Sequence, residues 1–355
     1  MPDTPNPWWL NIISGSCFLA FTIMAFVGGS QWRRGFLFII SGLFGFILKY
    51  GPFGFTCSFR SMLSSGNFSQ IRDMLIMIFF ATCFVGFFQL PIDSFGNFPL
   101  FFPEKHHQPL SLAKEKVGLS IALGSFMFGM GMQLGSGCAT GTLVGMAEGS
   151  LKSWVVIIFF ITGATIGATP PFYNWWSNLP ATNEPVVLPY WAVLLILIAL
   201  IALTFLGDMI RIWRNNRSQK FGFKLLSLEL KDQNVEEDSQ NEVKKKMIRK
   251  IVHDIIVDFC LAVCVGLFFI CDGQVIGVMG VFPSIGGAFL RACGVNVEKW
   301  KYYQQKKIPN NFLDVDMFVS DLFINFGAFL AATVRRNFAW GQKKTWGEYV
   351  KGVCG

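Results

Sequence analysis

The sequence predicts an all-α integral membrane protein, a polytopic helical bundle with re-entrant half-helices and a weak internal repeat. Its composition predicts the membrane class, because 52% of the 355 residues are hydrophobic and only 15% are charged. The mean hydropathy of +0.47 agrees with this. The 36 glycines predict interrupted helices, since glycine allows close helix packing and bends inside a bundle.

Long apolar runs predict the membrane spans, because a helix needs enough apolar residues to cross about 30 Å of hydrocarbon. The first run lacks the charged start of a secretory signal, since Arg33 is the first basic residue, and we expect it to remain as a helix. We expect eight crossings and the start of a ninth at the extreme C-terminus. The eight are residues 8–29, 35–50, 71–90, 117–135, 153–170, 189–207, 254–272 and 317–334.

Three further apolar segments are too short or too rich in glycine to span a bilayer. They are residues 51–63, 135–149 and 277–294. Non-helical backbone at membrane depth is tolerated only where it is buried in protein or lines a polar cavity. We therefore predict a re-entrant half-helix in each segment.

A charged segment, residues 208–253, divides the chain into two unequal membrane halves. Its dense Lys and Arg beside the membrane predict a flexible linker that faces the cytoplasm. Residues 1–207 form the first half, with two re-entrant segments, and residues 254–355 the second. In each half a span leads to a glycine-bounded aromatic segment that ends at Arg60 or Arg291, as expected of a transporter with internal repeats. The alternative is that the two halves resemble each other by accident.

The segment GSGCATGT, residues 135–142, is the first candidate site. Its glycines break a spanning helix, and a new half-helix is predicted to begin around Cys138, with Thr140 at its start. A helix N-terminus has unpaired N–H donors and a partial positive charge, so it can bind an anion without Lys or Arg. The alternative is that the small residues serve only close helix packing.

The segment GFTCSFR, residues 54–60, is the second candidate. It combines Cys57 with two hydroxyl residues and Arg60. An arginine within the membrane is costly unless it reaches water, a partner or a ligand, so Arg60 is predicted to be either an anion contact or a side chain that snorkels to the interface.

Glu148 follows the second half-helix and has three interpretations. It marks a solvated helix end, it pairs with Arg60, Arg72 or Lys152, or it acts as a proton-coupling group.

Other classes of protein are not supported by the sequence. It contains no GxSxG, P-loop or HExxH motif, which argues against an enzyme. Three histidines and the lack of CxxC spacing argue against a metal site, and no cofactor is predicted. Membrane orientation explains the net charge of +8 better than a nucleic-acid partner.

The two candidate-site segments described above resemble the YeeE/YedE family of sulfur transporters, which take up thiosulfate or related species. The likeness rests on residues 135–142 with Glu148-Gly149, on residues 54–60, and more weakly on residues 277–291. It implies a transporter or channel-like permease for a small sulfur-containing anion. The family carries a second glycine-cysteine motif where this sequence ends at residues 352–355, so we expect the second half to be incomplete.

The resemblance also implies how the anion would be bound. Neutral thiols would donate weak S–H hydrogen bonds to the soft sulfur of thiosulfate, and half-helix N-termini would hold its oxygens. The implied partners are this inorganic anion, the lipid bilayer and, as a candidate, a cytoplasmic sulfur-carrier protein. A membrane thiol enzyme or sulfur-relay protein, and a non-transporting subunit of a membrane complex, are the alternative functions. The implied site residues are Cys138, Cys57, Thr140, Gly137, Gly141 and Arg60.

Overall fold

The computed structural model describes residues 32–51, 54–89, 117–135, 137–182, 188–226, 236–272 and 276–335, with residues 15, 16, 19, 23 and 338. Most of the predicted first crossing, residues 8–29, lies outside the described residues. The predicted start of a ninth crossing lies outside them as well.

The described residues form helices, with one isolated bridge between Gly118 and Ala181. This architecture confirms the predicted all-α fold class. In chain order, the α-helices are α1 (Trp32–Tyr50), α2 (Phe55–Ser65), α3 (Ser69–Gln89), α4 (Leu119–Gly135), α5 (Ala139–Ala147), α6 (Leu151–Ala168), α7 (Pro170–Ser177), α8 (Tyr190–Leu226), α9 (Glu236–Asp272), α10 (Phe282–Ala292), α11 (Lys301–Gln305) and α12 (Asp316–Val334).

Among the described residues, six segments are long and apolar enough to cross a membrane. They confirm a multi-pass integral membrane protein. Helix α4, predicted to be a crossing, has 17 residues, at the lower end of the range of about 17–25 that spans a bilayer. The six segments are Arg34–Ser64, Ser69–Gly86, Leu151–Ala168, Tyr190–Arg211, Ile251–Asp272 and Asp316–Val334.

Each of the three predicted half-helix segments contains a short helix. Helices α2 and α10 have 11 residues each, and α5 has 9. At a rise of about 1.5 Å per residue, each covers roughly half of the hydrocarbon thickness. Helices α2 and α10 follow the long helices α1 and α9, at the positions that the predicted repeat assigns to them.

Helices α1 and α12 run side by side in the same direction. Arg34 near the start of α1 pairs with Asp316 at the start of α12, with Nε and Oδ1 2.9 Å apart. At the other end, Arg335 donates to the carbonyl of Tyr50 at 2.6 Å.

Between these ends the two backbones touch. A methyl group added at Gly45 of α1 would overlap the Ile324 carbonyl of α12, and one added at Gly327 would overlap the Gly42 carbonyl. Small residues permit this approach, and close packing is a main source of helix association in a bilayer.

The same end of the bundle gathers charged groups from several helices. Arg72 at the start of α3 pairs with Asp208 of α8 at 2.8 Å. The ring of Tyr50, at the end of α1, lies 6.3 Å from that of His253 in α9. We call this end of the bundle, marked by Tyr50, Arg72, Asp208, His253 and Arg335, the charged end.

Much of the predicted linker is helical. Residues 208–226 continue α8 and residues 236–253 belong to α9. Residues 227–235 lie outside the described residues, and the flexible linker over residues 208–253 stays a prediction. The cytoplasmic location of this segment stays a prediction.

The third short helix, α10, is fixed at its start by a buried tyrosine. The hydroxyl of Tyr303 donates to the carbonyl of Pro283 at 2.7 Å. Burial raises the pKa of Tyr303 to about 12, so the hydroxyl keeps its proton at neutral pH. Gly286 packs directly on Thr165 of α6. These contacts place the turn before α10 against the interior of the bundle.

Candidate anion-binding site

A large cavity of about 1090 Å³ lies between the described helices. Residues at the starts of α2 and α5, and the turn that precedes α10, all line it: residues 54–55, 138–141 and 276–280. The three segments predicted as half-helices therefore meet at one cavity. Broken helix ends at a cavity between helices are the arrangement expected for a transporter site.

Cys138 caps the start of α5. Its backbone is extended, with φ −77° and ψ 176°, and its Sγ accepts the N–H of Gly141 at 3.3 Å. Its carbonyl accepts both the N–H of Thr142 at 2.8 Å and the Thr142 hydroxyl at 2.9 Å. A side chain that accepts from the third helical N–H is the usual N-cap arrangement, so the predicted half-helix does begin at Cys138.

The start of α5 also places residues with unpaired backbone donors at the cavity wall. The N–H groups of Ala139 and Thr140 fall in the first turn, where a helix has no carbonyl to accept them. Both residues line the cavity, together with Cys138 and Gly141. The partial positive charge of the helix N-terminus adds to these donors, so the four residues present an anion-compatible surface.

The rest of the cavity wall is mostly apolar. The Tyr190 hydroxyl donates to the Thr82 carbonyl at 2.5 Å, and the Thr82 hydroxyl donates to the Ile78 carbonyl at 2.8 Å, so these hydroxyl protons are already used. The lining residues that the structure describes include no Lys or Arg. Attraction for an anion would therefore come from the start of α5, with helix dipoles in a low-dielectric setting.

The predicted residues at the start of α5 are largely brought together. Cys138, Thr140 and Gly141 line the cavity. Gly137 is half-buried just before the helix and is not among the lining residues. Ser136, in the predicted helix break, lies outside the described residues.

The predicted residues on α2 lie elsewhere. Gly54, the N-cap of α2, lines the cavity, whereas Cys57 and Arg60 are exposed and are not among its lining residues. Cys57 is the third residue of the helix and thus lies on its side, not at its start. The exposure of Arg60 favours the snorkelling interpretation over a contact within the cavity.

A family model described as sulphur transport matches residues 50–355. The chain belongs to the sulphur transport family. This membership covers most of the chain and confirms the resemblance to YeeE/YedE proteins found from the sequence.

Two curated proteins are similar to this member of the sulphur transport family. The thiosulfate transporter TsuA of Escherichia coli is 28% identical over 136 residues, which are 37% of this chain and 33% of that protein. The thiosulfate transporter TsuA of Spirochaeta thermophila is 24% identical over 151 residues, 39% of this chain and 38% of that protein. The chain thus covers less than half the length of these relatives.

Glu148 has a partner that the sequence analysis did not consider. It pairs with Lys49 of α1, whereas Arg60, Arg72 and Lys152 were the predicted candidates. Arg72 pairs with Asp208 instead. Glu148 follows the last residue of α5, so in this sulphur transport protein the pair attaches the end of α5 to α1.

Sequence reasoning missed most of the cavity wall. Helix α3 contributes a long stretch of it, including Met74, Met77, Thr82 and Gly86, and α1 contributes Phe44 and Leu48. The sequence carries no signal for these residues, because an apolar side chain that faces a cavity has the same composition as one that faces lipid.

Proposed function

We propose that the chain moves a small sulfur-containing anion of the thiosulfate type across a membrane, through the cavity at the start of α5. The observation that carries the proposal is Cys138, which caps a half-helix and lines a large cavity in a member of the sulphur transport family. The names of the two relatives support the choice of thiosulfate.

The chemistry of the site suits such an anion. Thiosulfate has hard sulfonate oxygens and one soft, polarisable sulfur. The N–H groups of Ala139 and Thr140 would bind the oxygens. The Sγ of Cys138 accepts from Gly141, which leaves its S–H free to donate to the soft sulfur. These contacts are individually weak, as a site must be if it is to release what it accepts.

We further propose that passage involves no covalent chemistry. The described lining residues include no His, Asp or Glu that could act as a general base beside Cys138. In this proposal Gly137 allows the turn into α5, whereas Cys57 and Arg60, on the exposed side of α2, lie outside the anion site.

Flux into liposomes that contain the purified chain tests the function. We expect radiolabelled thiosulfate to accumulate, and unlabelled thiosulfate to compete for uptake better than sulfate, which lacks the soft sulfur. Protein-free liposomes are the control. Uptake no faster than in these liposomes would contradict the proposal. Intact-mass spectrometry after exposure to thiosulfate should find Cys138 unmodified, and a persulfide or thiosulfonate adduct would favour a sulfur-relay role instead.

A further inference from the structure

We propose that Asp258 is the centre of a proton-binding site beside the anion cavity, and that proton binding there is coupled to anion passage. The coupling rests on the proposed function, whereas proton binding itself does not. The site lies at the charged end, where the start of α2 meets α3 and α9.

A small polar pocket defines the site. Its volume of about 20 Å³ is enough for roughly one water molecule. Asp254 and Asp258 lie one turn apart on α9, and Gln70 and Asp73 face them from α3. The pocket is lined by Gly54, Ser58, Gln70, Asp73, Asp254, Val257 and Asp258.

One oxygen of the Asp258 carboxyl is buried without a hydrogen-bond partner. The residue is 2% exposed, and its Oδ2 has no hydrogen-bond partner among the described residues. The side-chain oxygen of Gln70 is also buried and has no hydrogen-bond partner among the described residues. A protonated Asp258 carboxyl could donate to the Gln70 side-chain oxygen as that oxygen now lies, whereas an ionised carboxylate can only accept.

The negative charges in the pocket also favour a protonated Asp258. Asp258, Asp73 and Asp254 bring three carboxyls to one small pocket inside a membrane protein. Like charges so close together, with one of them buried, are not all ionised at once. A water molecule in the pocket would satisfy hydrogen bonds but would not remove charge, and a proton does.

Among the described residues, the side chains that line the pocket include no Lys, Arg or His. Helix α2 presents the uncharged Ser58 to the pocket. Arg335 is occupied with Tyr50, donating to its carbonyl at 2.6 Å and stacking on its ring. The described titratable and charged groups that line the pocket or contact its neighbours include Asp73 of α3, Asp254 and His253 of α9, Tyr50 at the end of α1, and Arg335 just beyond α12.

A proton suits the pocket better than a metal ion. Among the described residues, no group of three or more His, Cys, Asp or Glu side chains has an arrangement that could hold a metal. The step is simple protonation: a carboxylate takes up one proton to become a carboxylic acid and later releases it, with no redox change and no bond to sulfur.

Exposure decreases along α9 from His253 through Asp254 to Asp258. The side chain of His253 is 49% exposed and that of Asp254 15%, and the His253 Nδ1 lies 3.4 Å from the Asp254 Oδ1. Asp258 follows one turn later at 2%. Chains of His and Asp are typical of proton pathways in membrane proteins.

Gly54 connects this pocket to the anion cavity, because it lines both. Its carbonyl accepts the N–H and the hydroxyl of Ser58, at 2.9 and 2.8 Å. Protonation of Asp258 removes negative charge beside the start of α2 and so favours an anion in the cavity. By linkage, an anion in the cavity favours the proton equally.

Proton movement can be measured during transport. The full chain is reconstituted into liposomes that contain a pH-sensitive dye, with the membrane potential clamped by potassium and an ionophore. Thiosulfate added outside should acidify the lumen as it enters. Thiosulfate entry without acidification would overturn the proposal.

Matched variants assign the effect to Asp258. We expect Asp258→Asn to lose the acidification while retaining downhill thiosulfate flux, and Asp258→Glu to restore acidification. The control is Asp321→Asn, since Asp321 is a buried aspartate of α12 outside the pocket, and it should acidify the lumen as the wild type does. Acidification by Asp258→Asn at the wild-type rate would contradict the assignment.

A spectroscopic test separates this inference from the proposed function. Infrared spectra of the solubilised protein at pH 7, without thiosulfate, should show a protonated carboxyl band that Asp258→Asn lacks. Identical wild-type and variant spectra would refute proton binding. If the wild type transports no thiosulfate, the proposed function fails, and this band still decides whether the proton site exists.

Discussion

The segments around Cys138 and Cys57 follow a similar plan in sequence and differ in the structure. In both, a cysteine comes shortly after a glycine, near the start of a short helix that was predicted as half-spanning. Cys138 is the N-cap of α5 and lines the cavity, whereas Cys57 is the third residue of α2 and is exposed.

Position relative to the helix start explains this difference. An N-cap side chain lies across the helix end, where unpaired N–H groups point at a ligand. Three residues further on, a side chain has moved about 4.5 Å along the axis and lies on the side of the helix. A glycine-cysteine pair thus makes a site only when the cysteine coincides with the cap.

The two short helices are also held differently. Helix α5 is attached to α1 through Glu148 and Lys49. Helix α2 ends at Gly66, whose φ of +61° allows its N–H to bond the Met62 carbonyl at 3.0 Å. Helix α5 is therefore fixed by a charged pair, and α2 by a local backbone cap.

The largest expected effect is the loss of Cys138. We expect Cys138→Ala to lower thiosulfate uptake by about tenfold or more, which corresponds to about 1.4 kcal/mol of lost anion contact. Cys138→Ser is the matched variant, because a serine caps a helix well but lacks a soft sulfur. It should insert and fold normally and still transport poorly. Wild-type uptake by both variants would remove the thiol from the mechanism.

The next effect comes from narrowing the cavity beside Cys138. A methyl group at Gly141 would lie 3.5 Å from the Cys138 Sγ, an ordinary contact, so α5 should still form in Gly141→Val. The larger side chain would occupy the anion surface, and we expect uptake to fall about fivefold, or about 1 kcal/mol.

Gly163→Val is the control for that substitution, since an added methyl at Gly163 in α6 meets no atom within 4 Å. Equal uptake by the two valine variants would show that the start of α5 is not the binding surface.

A smaller effect, on stability, is expected from the attachment of α5. Glu148→Met leaves the Lys49 ammonium without its carboxylate and should lower the free energy of unfolding by about 1.5–3 kcal/mol. Thermal unfolding in detergent measures this. Adding Lys49→Met should recover part of the loss, because an apolar pair can replace an ion pair. A double variant no more stable than the single one would argue against the pair.

The smallest effect is expected at Cys57. We expect Cys57→Ala to change thiosulfate uptake by less than about twofold, or about 0.4 kcal/mol, because the side chain does not line the cavity. The same uptake assay as for Cys138→Ala decides it. A loss as large as that of Cys138→Ala would mean that both cysteines bind the anion and would erase the distinction between the two segments.

The sequence predicted the fold class and the half-helices because each has a local signal. Long apolar runs mark spans, and glycines mark the breaks before α5 and α10. The role of Cys138 could be predicted from the sequence in the same way, since its neighbours predict a helix start. Tertiary features had no such signal: the pairing of Glu148 with Lys49 joins residues far apart in sequence, and the apolar wall from α3 resembles a lipid-facing surface.

The contact between α1 and α12 has a consequence for any transport cycle. Gly45 and Gly327 bring main chain against main chain, so sliding or rolling one helix over the other would drive rigid peptide groups into each other. Helices α1 and α12 are therefore expected to move together as one rigid body. Opening and closing of a pathway would then fall to helices outside this pair, such as α8, which packs on α3, and α3, which packs on α9.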